Sequence, residues 1–509
     1  MTTSLRVFRD TYVDSVVQLS AARVMRDLAG VEWAAAAMAT PANVETLASE
    51  GFPDTDLGSA NDLFLAVRGK DEDAVQAALA AGADAMFASR ETEAGSPTKR
   101  AHRTMARTVR ERPETNVAIV SVPGAYAALE AHEALTLGLD VLLFSDNVSV
   151  ADEVALKQRA LGLGRLVMGP GAGTALLGGT GLGFANVVRP GRVGVIAAAG
   201  TGAQEAMTLL DRWNVGVSCV IGLGGRDLST AVDGRMAKEA IASLRADAGT
   251  DAIFFVSKPP SERVARAVLA PAGTMPVVAT LVGRPHDAEA LPGAQVARTL
   301  ESGALAVLDL LGVPRPDVIG DLRDRVADVS HRLPPERTVV RGLFSGGSLC
   351  YESLVILSDI VGPVYSNVPL DQSLRVPAPA GSHICLDLGE EEYTVGRPHP
   401  MIDPQARVEI LGEQARDPAV AAILLDVVLG WGAHADPAGQ LAGACSEAIE
   451  RGVAVVAYVL GTDRDPQGYA RQRRTLEDAG CIVTETAARA SLAAAAIAVR
   501  DPEAVMSVL

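Results

Sequence analysis

The sequence predicts an α/β protein of several parallel-sheet, Rossmann- or flavodoxin-like domains, and three observations carry that prediction. Apolar strand-like runs alternate with helical patterns along nearly the whole chain, as βα units do. The 509 residues are too many for one ordinary core, so about three domains are expected. Aromatics make up 4% of a chain that is 48% hydrophobic, so the core is built from Val, Leu, Ile and Ala, which suits parallel strands under close-packed helices.

Taken in order, "SLRVFRD", "VEWAAAAMA" and "DLFLAVRG" read as strands, each followed by a helical stretch. The second helix opens on Thr40-Pro41, a cap followed by proline at the first helical position. Residues 1–112 are expected to form an N-terminal α/β domain ending in a charged, exposed linker. A Rossmann-type unit follows over 113–190, with "TNVAIVSVPG" and "LDVLLFSD" as strands. Its end, "RLVMGPGAGTALLGGTGLGFANVVRP", reads as a glycine-rich crossing between domains. Residues 191–312 and 338–509 then form two domains joined by a linker over 313–337.

These last two domains resemble each other. "AGTGAQEAM" lies over "GGSLCYESL", "DAIFFVS" over "AAILLDV", and "MPVVATLVG" over "VAVVAYVLG", three matches in the same order. The pattern is that of a duplication with loop insertions. In sheets of this kind, ligands bind beyond the carboxyl ends of the strands.

Net charge and cysteine usage exclude several classes. A charge of −17 repels a phosphate backbone and anionic lipid, so neither nucleic acid nor membrane is an expected partner. Five cysteines without a CxxC pair form neither a disulfide framework nor a zinc pattern, and no metal site is expected. The N-terminus lacks a signal-peptide apolar region, and no apolar run reaches the ~18 to 20 residues needed to span a bilayer. A cytoplasmic location is the expectation.

The candidate chemistry lies at the strand-to-helix corners. Gly200, Thr201 and Gly202 follow the run Val193 to Ala199 with nothing bulky between strand and helix. Unpaired N–H groups and the helix dipole make such a corner suited to phosphate or carboxylate. Gly346, Gly347 and Ser348 repeat the corner in the second domain. Two such corners, packed about a pseudo-twofold axis, would attract one anion against the acidic field. Glu205 and Glu352 are expected in the first helical turn, as proton acceptors or partners of a histidine. Neighbouring loops add Gly224, Gly225, Arg226, Asp387, Arg397, His399, Asp426, Gly430 and Gly432. Arg397 and His399, between prolines, read as a rigid cationic finger for a substrate carboxylate and its proton.

These residues resemble the succinyl-CoA synthetase superfamily. "AGTGAQEAM" followed by "SCVIGLGGRDL" is similar to the α-subunit's phosphate-site helix and its following loop. "NVAIVSVPGAYAALEAHEAL" is similar to part of its CoA-binding domain, and "GGSLCYES", "LDLG" and "AAILLDVVLG" are similar to the β-subunit's C-terminal domain. The order, with the N-terminal "TYVDSVVQLS…MATPANVETL", resembles the FdrA family, in which α-like and β-like parts are fused. The resemblance implies that Glu205 matches a carboxylate that positions the family's phosphohistidine. The loop expected to carry that histidine reads "GRPHDAEALPGAQVA", with Pro292-Gly293 in its place and His286 out of register. The ATP-grasp domain of the synthetases has no counterpart. The resemblance therefore implies carbamoyl or acyl transfer with inorganic phosphate as co-substrate, as in an oxamate carbamoyltransferase of allantoin catabolism. It implies, as alternatives, an acyl-CoA synthetase using ATP and CoA, or a non-catalytic anion-binding subunit. It also implies protein partner subunits or a homo-oligomer around a small anionic substrate.

Overall fold

The computed structural model describes all residues except 1, 12, 14, 53–56, 58, 60–61, 93–103, 286, 395–397 and 508–509. The chain folds as two compact units, residues 1–103 with 396–398, and residues 104–395 with 399–509.

In the first unit the elements run β1 (Thr2–Phe8), α1 (Ser15–Arg26), β2 (Val31–Met38), α2 (Pro41–Ser49), β3 (Leu63–Gly69) and α3 (Glu72–Thr92). The sheet order is β1-β3-β2, with β3 antiparallel to both neighbours. This corrects the parallel sheet expected from the alternation. β3 is the most apolar of the three strands and is buried along nearly its whole length, so it takes the centre and splits the βαβ unit. At the start of α2, Thr40 Oγ1 accepts the Asn43 N–H, as the Thr-Pro pattern predicts.

The second unit opens with α4 (Met105–Glu111) and a three-stranded parallel sheet. Its elements are β4 (Val117–Val120), α5 (Gly124–Thr136), β5 (Asp140–Leu143), α6 (Val150–Leu163) and β6 (Val167–Met168). The glycine-rich passage, read as a crossing, instead contains a hairpin of β7 (Thr174–Leu177) and β8 (Thr180–Gly183). Its two turn residues, Gly178 and Gly179, have φ of 55° and 79°, the left-handed pair that a tight hairpin turn demands.

The first of the two similar halves contains β9 (Pro190–Ala197), α7 (Gly200–Arg212), β10 (Val217–Gly222), α8 (Arg235–Ala246) and β11 (Ala252–Ser257). It continues with α9 (Glu262–Leu269), β12 (Val277–Leu281), β13 (Gln295–Ala297) and α10 (Leu300–Leu311). The expected linker over 313–337 contains a helix, α11 (Leu322–Arg332). In the second half come β14 (Val339–Phe344), α12 (Gly347–Val361), β15 (Val364–Tyr365), β16 (His383–Asp387), α13 (Glu391–Thr394) and α14 (Gln405–Gln414). It ends with β17 (Val420–Val428), α15 (Pro437–Glu450), β18 (Ala454–Leu460), α16 (Tyr469–Asp478), β19 (Ile482–Thr484) and α17 (Ala487–Val499).

The two sheets share one strand order. The first reads β13-β12-β11-β9-β10-β7-β8 and the second β15-β16-β14-β17-β18-β19. Reversing the first aligns β10-β9-β11-β12-β13 with β16-β14-β17-β18-β19. The three sequence matches fall on β9–α7 with β14–α12, β11 with β17, and β12 with β18, so the duplication is structural. One core runs across both halves, joining Leu209 and Leu210 of α7, Leu354 and Leu357 of α12, and the Ala-rich run Ala493–Ala498 of α17. α17 packs along α12, and α12 packs on α7, whose start it meets at Thr201 and Ser348. Among the described residues no helix is long and apolar enough to cross a membrane.

Candidate functional site

Both glycine corners open into one cleft of about 580 Å³, lined by Gly200, Thr201, Gly347 and Ser348 among others. The corners touch. Ser348 N–H donates to Thr201 Oγ1 at 3.1 Å, so the first helix start caps part of the second. α7 has no side-chain cap of its own, and its first N–H groups are left to the cleft. A Cβ added at Gly200 would meet nothing within 4 Å, so the space before α7 is open. Gly202 packs inward, where a Cβ would lie 3.1 Å from Val256 and 3.3 Å from Ser348 Oγ.

At the second corner the protein supplies part of the negative charge itself. Asp426, fully buried in β17, accepts the N–H groups of Ser345 and Gly346, both at 2.8 Å. It also pairs with the buried Arg407 at 3.0 Å. Asp426 therefore fixes the β14–α12 turn from behind and does not line the cleft. Gly347 is the first helical residue beyond that cap and does line it.

Asp146, Asp387, Glu390 and His399 line the opening, and Asp387 and His399 stand nearest the second corner. Asp387, at the end of β16, lies beside Gly347, where an added Cβ would come within 2.5 Å of its Oδ2. Burial pushes its carboxyl up to about 7, against the Gly389 N–H, which donates to Oδ1 at 3.0 Å. His399 accepts the Met401 N–H at Nδ1 and is held down to about 4, chiefly by burial. It is neutral at pH 7, and its Nε2 looks into the cleft beside Gly389. A Cβ on Gly389 would lie 2.6 Å from that Nε2 and 3.2 Å from Asp387 Oδ1, so this glycine keeps the two groups in reach of a common guest. Two cations stand at the rim. Arg226 is anchored to Glu153 at 3.0 Å, and the Lys258 Nζ lies 4.4 Å from the Tyr351 ring centre.

The remaining predicted residues divide clearly. Gly225 lines the cleft. Gly224 has φ of 78° and packs against the Pro170 carbonyl, where an added Cβ would fall 2.2 Å away. Gly430 and Gly432, with φ of 114° and 85°, give room to Ala185 and Phe184. Arg397 and His286 fall outside the described residues. The placement of Glu205 and Glu352 in a first turn is corrected: each is the sixth residue of its helix, in the second turn. Both are 1% exposed and buried behind the cleft. Sequence reasoning missed Lys258, Phe184 and Asp146. Lys258 was findable, because it follows "DAIFFVS" at a strand end of the kind that carries ligands.

The family model described as CoA-ligase matches residues 343–497, and the one described as AllF, heavy metal-associated domain, matches residues 1–103. A heavy metal needs thiolate or imidazole ligands, yet residues 1–103 contain no cysteine and a single histidine, His102. Among the described residues no group of three or more His, Cys, Asp or Glu is placed for an ion. Residues 1–103 therefore lack a ligand set that fits a heavy metal. The chain is 29% identical over 116 residues to the α-subunit 2 of an ADP-forming succinate–CoA ligase of Archaeoglobus fulgidus, covering 22% of this chain and 40% of that one. It is 27% identical over 193 residues to SauD, an ADP-forming sulfoacetate-CoA ligase subunit of Bilophila wadsworthia, covering 36% of this chain and 64% of that one. Among solved structures, ATP citrate lyase of Methanothrix soehngenii superposes with a TM-score of 0.35 at 17% identity, over 42% of each chain. The Escherichia coli K12 protein YahF, described as uncharacterized, is 39% identical over 520 residues, covering 99% of this chain and 100% of that one. The chain thus belongs, with YahF, to the FdrA-like family, in which succinyl-CoA-synthetase-type α-like and ligase domains are fused in one polypeptide.

Proposed function

We propose that the chain is an acyl-transferring enzyme of the acyl-CoA synthetase type, moving an acyl group between phosphate and the thiol of CoA. The observation that carries this reading is the meeting of two helix starts, one from each half, at a cleft that also presents Asp387 and His399. Phosphate or the phosphoryl end of an acyl phosphate sits against the amides of Gly200 and Gly347, where two positive dipole ends converge. Amides aimed at the departing oxygens stabilise charge as it develops. The thiol sulfur attacks the acyl carbonyl, the C–O bond to phosphate breaks, and the thiol proton passes to the departing phosphate. Asp387, kept protonated up to about pH 7 by burial, donates a hydrogen bond to the phosphoryl group as that charge develops. Neutral His399, with its Nδ1 accepting a hydrogen bond, directs an Nε2 proton at the same guest.

The test is phosphate release from acetyl, succinyl and carbamoyl phosphate, with and without CoA. Carbamoyl phosphate is included because carbamoyl transfer follows the same course with nitrogen on the carbonyl. CoA-dependent release from an alkyl acyl phosphate, with matching thioester, supports the reading. CoA-independent transfer of carbamoyl to an amide acceptor replaces it with the carbamoyltransferase reading. A chain that turns over none of the three, alone or with ATP and the free acids, sinks both.

A further inference from the structure

Glu205 and Glu352 take no part in the transfer just described, yet the fold places them with care. Each sits on the cleft helix of its own half and bonds to an element of the other. Glu352 Oε1, on α12, accepts the N–H of Leu300, the first residue of α10, at 2.6 Å. Glu205 Oε2, on α7, accepts the hydroxyl of Tyr458 in β18 at 2.6 Å. The N–H of Ala487, the first residue of α17, also faces Glu205. Leu300 and Ala487 hold equivalent places in the two halves. Each follows a capping threonine, Thr299 or Thr486, whose side chain accepts a backbone N–H of its own helix. The duplication has reproduced the contact with the halves exchanged.

The other oxygen of each carboxyl, Glu205 Oε1 and Glu352 Oε2, is buried without a hydrogen-bond partner. Among the charged and titratable groups around the pair, the Arg212 charge favours the ionised form of Glu205, and burial outweighs it. Arg212 of α7 donates to the hydroxyls of Tyr458 and Tyr469 and to the Glu485 carbonyl. Glu301 of α10 is paired with Arg489 and Thr486 of the second half. Neither arginine bonds to Glu205 or Glu352. An ionised carboxylate with a bare oxygen in so dry a place is strongly disfavoured, whereas a neutral acid is tolerated.

We propose that Glu205 and Glu352 are positioning residues that, as neutral carboxylic acids, tie each helix start to the opposite half and hold Gly200 and Gly347 at a spacing one anion can span. The titration of the pair agrees: burial raises Glu205 to about 7 and Glu352 to about 8. The folded state holds these protons and the unfolded state releases them at the ordinary carboxylate pKa. Stability from the pair is therefore full at low pH and is lost as pH rises through 7 and 8. The inference rests on the anion-binding part of the proposed function, but its first test does not.

That test compares urea midpoints of the wild type and the Glu205→Gln/Glu352→Gln double variant from pH 5 to 9. Glutamine keeps an acceptor and cannot ionise. The wild type is expected to lose stability relative to the variant steadily up to about pH 8, after which the gap levels. Parallel curves overturn the proposal. The second readout is sulfate binding by calorimetry at pH 6.5. The double glutamine variant is expected to bind within threefold of wild type, and the double alanine variant at least tenfold worse. If the alanine variant does not fold, the glutamine pH profile decides alone. A glutamine variant that is stable but binds sulfate tenfold worse than wild type also overturns it. Failure of the wild type to bind sulfate counts against the proposed function and leaves the stability test standing.

Discussion

Replacing Asp387 with asparagine should free anion binding from pH. The carboxyl stands beside Gly347, and burial keeps it protonated up to about pH 7. Above that pH it ionises next to the seat of the anion. A negative charge roughly 5 Å from a bound anion costs about 3 kcal/mol per unit charge at an effective dielectric near 20. That exceeds a hundredfold in affinity, so in effect only the protonated form binds. Affinity should then fall roughly tenfold for each pH unit above 7. Sulfate is the suitable probe, because its own charge is constant from pH 6 to 9. His399 is held at about 4 and stays neutral throughout, so it adds no slope. Glu205 and Glu352 titrate in both proteins and cancel in the comparison. Calorimetry at pH 6.5, 7.5 and 8.5 should give a slope in the wild type steeper than in Asp387→Asn by about 0.7 log unit per pH unit, rising toward one at the upper end. Equal slopes would show that Asp387 does not face the bound anion and would refute the reasoning.

Three further outcomes follow from single contacts. Gly389→Ala puts a methyl 2.6 Å from His399 Nε2, so turnover should fall at least a hundredfold while the melting temperature moves by only a few degrees; normal turnover would show that the two groups do not act together. Lys157→Met leaves the buried carboxylates of Glu153 and Asp227, each 2.8 Å from its ammonium, without their shared cation. Urea denaturation should report a loss of about 3 to 5 kcal/mol, and a loss below about 1 kcal/mol would contradict the burial of that triad. Gly200→Ala should keep the melting temperature, since its Cβ meets no atom within 4 Å, while weakening sulfate binding severalfold; a marked destabilisation would mean that the corner is not open.

The fold was legible where pattern and chemistry agreed. The strand-helix alternation placed β9–α7 and β14–α12 correctly, and three weak matches revealed the duplication because insertions fell in loops. It failed where pairing depends on strand order, which no local pattern encodes: β3 is inserted between β1 and β2 and turns a βα repeat antiparallel. The glycine-rich passage misled because two left-handed glycines serve a hairpin turn as readily as a flexible crossing. At the site, the glycine corners were readable as backbone features. The side chains were harder. Asp426 and Asp387 both interrupt or end apolar strands, and only the fold shows that the first is a buried cap and the second faces the opening. Glu205 and Glu352 followed the helix starts in sequence, but helical geometry turns the sixth residue inward, toward the other half.

The account stands on two helix starts sharing one anion. Crystals soaked in selenate would locate it by anomalous scattering. The account predicts one peak within hydrogen-bond distance of the amides of both the Gly200 and the Gly347 corners. A peak at one corner alone, or two separate peaks, would contradict it.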